Sequence, residues 1–155
     1  MPVEIERKFL VNKSIWDNID KPEPEHYRQG YLTSDANTTF RVRVTPGKAY
    51  ITIKGKSKTI ERLEYEYEIP KQEGIELLDN LSQRELEKFR YKIVYAGKLW
   101  EVDVFLGKNN GLIVAEIELD SINEAFDKPD WVTNEVSDDF RYSNSKLSSN
   151  PFTEW

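Results

Sequence analysis

Along much of this chain, hydrophobic and charged residues alternate with a period of two, the period at which an extended strand sends successive side chains to opposite faces. In VEIERKFL (residues 3–10), Glu4, Glu6 and Lys8 fall on one face while Val3, Ile5 and Phe9 fall on the other. The pattern returns in TTFRVRVT (38–45), AYITIKG (49–55), RLEYEYEIP (62–70), LWEVDVFLG (99–107) and LIVAEIELD (112–120). HYRQGYLT (26–33) and LEKFRYKIVY (86–95) also read as extended segments. Turn residues separate these stretches at SDAN (34–37), PGK (46–48), KSKT (56–59), AGK (96–98) and NNG (109–111). Helical spacing is predicted over 12–19, capped at Asn12 or Ser14, over Lys71 to about Asn80, and over 121–126 and 138–149, with KPDW (128–131) as a break.

Eight strands joined mostly by short connections predict a largely antiparallel sheet. Closed on itself, such a sheet leaves an interior wide enough for side chains or one small ligand. The expected fold class is α+β: an eight-stranded antiparallel β-barrel with helices packed on the outside, forming a single domain over residues 1–155. Two placements of the charged faces are open. In a half-exposed sheet they lie in water. In a barrel covered by helices, the apolar parity points outward into those helices and the ionic parity lines a tunnel. A solvated face normally mixes Thr, Ser and Gln with its charges, whereas this one is nearly all Glu, Asp, Arg and Lys, which favours the tunnel.

Composition narrows the chemistry. The 155 residues include 19 aromatics, 12% of the chain, and 38% hydrophobic residues, enough apolar area for a core. With no cysteine and one histidine, His26, a thiolate or histidine zinc site is excluded, so any metal is a hard cation held by oxygen. His26 is expected at the surface where a strand begins, Trp16, Trp100 and Trp131 as packing anchors, and Trp155 in a loose tail. The net charge of -6 argues against broad nucleic-acid or membrane-surface binding. No membrane-length apolar run and no signal peptide are expected, which points to the cytoplasm.

On the ionic face, Glu4, Glu6, Glu64, Glu66, Glu68, Glu101, Asp103, Glu116 and Glu118 meet Lys8, Arg28, Arg41, Arg43, Lys54, Arg62, Lys88 and Arg90. Two like charges ~4 Å apart cost about 4 kcal/mol at an effective dielectric near 20 and about 1 kcal/mol in water. Carboxylates gathered in a barrel therefore call for cations among them. A divalent metal, Mg²⁺ or Mn²⁺, takes carboxylate oxygens, while arginines and lysines take phosphate oxygens.

EIERKFL, RQGYL (28–32), FRVR (40–43), TIK (52–54), EYE (64–66), EKFRY (87–91), WEVDVF (100–105), AEIEL (115–119) and EVSDDFRYSN (135–144) stand in the order seen in the CYTH superfamily, also called triphosphate tunnel metalloenzymes, which the chain resembles from residue 3 to about 149. That resemblance implies an eight-stranded tunnel with a C-terminal plug helix that binds triphosphate compounds with a divalent metal. It implies metal contacts from Glu4, Glu6, Glu64, Glu116 and Glu118, with Glu4 and Glu6 orienting the attacking water. It implies a phosphate clamp of Lys8, Arg28, Arg41, Arg43, Lys54, Arg62, Lys88 and Arg90, with Lys8 and Lys88 also catalytic. Tyr31 is implied at the tunnel mouth, and Arg141, Tyr142 and Asn144 on the plug; Tyr31 and Arg141 complete the substrate contacts. Glu66, Glu101 and Asp103 are implied as wall positions, and for Glu68 and Glu101 a supporting surface charge is an equal reading.

The expected activity is metal-dependent hydrolysis of a terminal phosphoanhydride, with inorganic tripolyphosphate as substrate. Alternatives are a class IV adenylyl cyclase, a thiamine or nucleoside triphosphatase, a polyphosphate-binding module without turnover, and a structural domain. The sequence leaves a homodimer open.

Overall fold

A computed structural model describes residues 2–34, 37–56 and 60–155; most of the SDAN and KSKT turns lies outside them. In chain order the elements are β1 (Val3–Val11), α1 (Lys13–Trp16), β2 (Glu25–Ser34), β3 (Thr38–Val44), β4 (Ala49–Gly55), β5 (Glu61–Ile69), α2 (Lys71–Leu81), β6 (Arg84–Tyr95), β7 (Lys98–Phe105), β8 (Ile113–Glu118), β9 (Val132–Glu135) and α3 (Asn144–Ser149). Every pairing is antiparallel, in the order β5-β4-β3-β2-β6-β7-β8-β1. β1 pairs with β5 through Val3 with Leu63 and Glu4 with Arg62, which closes the barrel. The expected eight-stranded α+β barrel is therefore present.

β9 is an addition to it, laid beside Phe9 and Val11 of β1. Its sequence, VTNE, is too short to display an alternation. The helix expected over 12–19 is a single turn, α1, whose Asn12 side chain accepts from the Ile15 N–H. Residues 121–126 form turns rather than a helix, and 138–149 divides into a 3₁₀ turn at Phe140–Tyr142 and α3. Trp155 is packed, not loose: its ring lies edge-on to Tyr142 and Phe152 and its Nε1–H donates to the Asn150 carbonyl.

The hydrophobic core sits largely outside the barrel, as the parity predicts. Phe9, Trp100, Val102, Ala115 and Ile117 point outward and are covered by Trp16 of α1 and by Trp131 and Phe126 of the long β8–β9 connection. The rings meet edge to face, with centroids 5.3 Å apart for Trp16 and Trp131 and 5.6 Å for Phe9 and Trp100. Each such pair adds about 0.5–1.5 kcal/mol beyond burial. On the opposite side α2 covers Val42, Val44 and Ala49 with Leu78. Two glycines permit that close approach: a Cβ on Gly74 would lie 2.5 Å from the Ala49 Cβ, and one on Gly30 would lie 2.8 Å from Leu78 Cδ2.

Inside the barrel, the inward parity changes character along its length. β1 runs Glu4, Glu6, Lys8, Leu10, and β8, antiparallel to it, runs Glu118, Glu116, Val114. At the apolar end Leu86, Phe105, Leu112 and Val114 enclose Leu147 of α3. The plug helix is held by the hydrophobic effect where the wall ceases to be charged.

Candidate active site: a charged cavity inside the barrel

The inward side chains surround a cavity of about 920 Å³. Glu4, Glu6, Lys8, Arg41, Arg43, Lys54, Arg62, Glu64, Arg90, Glu116, Glu118 and Tyr31, all expected site residues, line it together with Glu66 and Glu101. With Lys56, Arg84, Lys92, Lys146 and Asp139 also in the lining, it holds ten lysines and arginines against eight carboxylates, although the whole chain carries -6. The local field is thus opposite in sign to the net charge, as an anion-binding cavity requires.

Cross-strand register sets the pairs. Lys8 lies opposite Glu116, and Lys54 opposite Glu64. Lys54 Nζ is 2.9 Å from Glu4 Oε1 and 3.2 Å from Glu64 Oε2. Burial raises the Glu4 carboxyl, but Lys54 outweighs it and draws the value down to about 2. Glu116 is approached by Lys8 at 3.8 Å and by Arg90 at 3.7 Å, and these cations hold its carboxyl below the ordinary range despite burial. Arg41 donates to Thr52 Oγ1 at 3.0 Å, Thr52 donates to Glu66 at 2.8 Å, and the Arg41 Nε is buried without a partner.

Glu6 and Glu118 differ from the rest. They face each other across the β1–β8 register, and among the described residues neither side chain has a hydrogen bond or an ion pair. Burial, then the charges of Glu116 and Glu4, push the Glu6 carboxyl well above its ordinary value; burial and neighbouring Glu4 and Glu101 raise Glu118. Carboxylates that Lys8 and Lys54 influence only from beyond ion-pair contact fit an oxygen-liganded divalent ion. Among the described residues no three acidic or histidine side chains already converge on one point. A partial carboxylate set suits a hard divalent cation that keeps several waters in its coordination shell.

Three expected substrate contacts lie elsewhere. Arg28 points outward from β2, where it reaches Asp79 of α2 and Glu85 of β6 at 2.9 Å each. Its neighbours Tyr27, Gln29 and Tyr31 carry the inward parity, because the outward one must include Gly30 to admit α2. Arg141 is exposed, paired with Asp139 and stacked on Trp155. Lys88 points inward but is fully buried behind the cavity wall, with Nζ 2.7 Å from Asp103 Oδ2 and 2.8 Å from Asn144 Oδ1. Burial, together with Arg90 and Arg43, pushes the Lys88 ammonium down to about 7 against the pull of Asp103. Glu68 is a surface charge near Lys48, and Glu101 pairs with Arg90 at 3.2 Å. His26 is half-exposed at the start of β2 beside Glu87.

The charge pattern alone does not single out Tyr27, Gln29 or Thr52. The signal for the first two is the parity of β2 once Gly30 is assigned to the outer face.

The CYTH domain family matches residues 2–149 of this chain. An inorganic triphosphatase of Acetivibrio thermocellus is 49% identical over 153 residues, covering 98% of this chain and 97% of that protein. An inorganic triphosphatase of Nitrosomonas europaea is 34% identical over 153 residues, covering 94% and 96%. A solved structure of an inorganic triphosphatase, 34% identical, superposes with a TM-score of 0.65 over 96% of this chain and 95% of that one. With the family match and both relatives extending over nearly its whole length, the chain belongs to the CYTH domain family.

Proposed function

We propose that the protein is a divalent-metal-dependent hydrolase of inorganic tripolyphosphate, with Mg²⁺ or Mn²⁺ as the metal. The observation that carries this reading is one cavity in which the carboxylates of Glu6 and Glu118, without an ion-pair partner among the described residues, stand beside Lys8, Arg41, Arg43, Lys54 and Arg90. Two full-length relatives named inorganic triphosphatase support it.

Arg41, Arg43, Arg90, Lys8, Lys54 and Arg62 offset charge on the phosphate oxygens and hold the chain of phosphates in line with the attacking water. Glu6 and Glu118, with Glu4, Glu64 and Glu116, would hold the metal, which when bound supplies Lewis-acid polarisation of the phosphoryl oxygens. The attacking water is oriented by Glu4 and Glu6, and its proton passes to the Glu6 carboxylate. The water oxygen bonds to the terminal phosphorus, the bridging P–O bond breaks, and its electron pair leaves with diphosphate. Lys88 does not reach the cavity, so its role is to hold Asp103 and Asn144, not to touch the substrate.

Purified protein is incubated with tripolyphosphate, ATP or thiamine triphosphate, each with Mg²⁺ or Mn²⁺, while phosphate and cyclic AMP are measured together. Phosphate release fastest from tripolyphosphate is expected. Cyclic AMP from ATP with little phosphate identifies a cyclase and overturns the proposal.

A further inference from the structure

From Tyr27 to Tyr31 the inner face of β2 carries no charge, yet it touches Arg43, Arg84 and Arg90. Gln29 is fully buried and does not line the cavity. Its Oε1 accepts from Arg43 Nε at 3.0 Å, and its Nε2 donates to Asn144 Oδ1 at 3.2 Å and more weakly to the Tyr31 hydroxyl at 3.4 Å. The same Asn144 oxygen accepts from Lys88 Nζ, which also donates to Asp103, and Asp103 receives Arg90 through Nε at 2.8 Å and Nη2 at 2.9 Å. Tyr27 completes the circuit: its ring lies 4.9 Å from the Arg43 guanidinium carbon and 5.1 Å from that of Arg90. Two like-charged arginines are thus fixed on one aromatic ring and tied through Gln29, Asn144, Lys88 and Asp103.

We propose that Gln29 is a positioning residue of the phosphate clamp: its buried amide fixes the Arg43 guanidinium toward the cavity and couples it, through Asn144, to the seating of plug helix α3. A buried amide suits this place because it accepts from a cation on one side and donates on the other without adding charge. Glutamate there would neutralise the arginine that has to meet phosphate. An apolar residue would leave the Arg43 Nε without a partner and free the guanidinium to turn.

This inference rests on the reading of Arg43 as a phosphate contact, and the test separates the two. Gln29→Met keeps the length and shape of the side chain and removes all three hydrogen bonds. With tripolyphosphate and Mg²⁺, Gln29→Met is expected to raise KM about tenfold or more while kcat falls less, because a charge-assisted hydrogen bond that aims a ground-state contact is lost. In an Arg43→Ala background, adding Gln29→Met is expected to change KM less than about twofold, since the residue it acts through is gone. A purely packing role would lower the melting temperature and leave this split and this coupling absent. Asn144→Ala, at the half-buried start of α3, is expected to raise KM in the same direction by about threefold or more, and it decides the matter if Gln29→Met does not fold. A wild-type protein that neither binds nor cleaves tripolyphosphate overturns the functional reading and this one with it. Arg43→Ala raising KM while Gln29→Met, or in its place Asn144→Ala, leaves KM unchanged overturns the positioning role alone.

Discussion

Glu6 and Glu118 are costly to the protein without metal and useful to it with one. Opposed in register on the inner wall, they have no ion-pair partner among the described residues, and Glu6 is also close enough to Glu4 and Glu116 to be pushed upward by them. Gln in place of Glu6 keeps the shape and removes a charge from this group. Glu6→Gln is expected to melt above the parent protein in EDTA, by the equivalent of about 1 kcal/mol, and to lose metal-dependent phosphate release about a hundredfold or more. Calorimetry in EDTA alongside a phosphate assay checks both; a variant that melts lower in EDTA contradicts the repulsion. Asp103 is the opposite case. Fully buried between Lys88 and Arg90, it is held well below its ordinary 3.8 by those two cations despite burial. Because its folded-state value is depressed, its contribution to stability is present above the ordinary carboxylate value and is lost as pH falls below it. Asp103→Asn takes the carboxylate from the buried Lys88 and leaves Arg90 to Glu101 and Glu116, and is expected to destabilise by about 3 kcal/mol at neutral pH. Urea unfolding at pH 7 and below pH 4 measures this, and the gap between variant and parent should narrow in acid.

Among the elements, α2 shows how an outer helix sets what an inner strand can offer. It rests on β3 and β4 where Gly74 meets Ala49, and on β2 where Leu78 meets Gly30. Gly74→Ala adds a methyl 2.5 Å from a strand Cβ that cannot swing away. Overpacking of about 1–3 kcal/mol is expected to outweigh the ~1 kcal/mol that alanine adds in helix propensity, lowering the urea midpoint while KM for tripolyphosphate holds. The same contact explains what the sequence displays and what it conceals. In β1, β3 and β8 charges recur at every second position over Glu4–Lys8, Arg41–Arg43 and Glu116–Glu118, so these residues are legible as one lining, with Arg7 the exception on the outer face. In β2, Arg28 is the visible charge, but the outward parity belongs to it and to Gly30, and the working residues are the neutral Tyr27 and Gln29. Arg141 misleads for a related reason: charge marks it, while a local pair with Asp139 and stacking on Trp155 decide its place. β9 and the turns at 121–126 are set by tertiary contacts of Phe9, Phe126 and Trp131, which no local period records.

For the whole molecule, the cavity poses a linkage between two ligands. A chain of net charge -6 repels a polyanion at long range, and only the cation-rich wall reverses that inside the barrel. Tripolyphosphate bound alone must lie near the uncompensated carboxylates of Glu6 and Glu118, while a metal bound alone finds an incomplete protein ligand set. Each ligand supplies what the other lacks: the metal offsets the carboxylates, and the phosphates complete its coordination. Binding should therefore be mutually reinforcing, and reciprocally so. At ligand about 100-fold above its Kd, stabilisation is about 2.7 kcal/mol, which for a chain of this length is a rise in Tm of roughly 5–10 °C. Tripolyphosphate with Mg²⁺ is expected to produce that rise, with EDTA reversing most of it, and to exceed the sum of the shifts from either alone. Because turnover consumes the ligand, tripolyphosphate is kept in large excess over what is cleaved during the scan, and Glu6→Ala, run beside the parent, is expected to lose the excess over additivity while keeping part of the polyanion shift through Arg41, Arg43 and Arg90. Shifts that simply add in the parent would mean that metal and phosphate occupy separate places, and the cavity would then be an anion receptor with carboxylates in its wall.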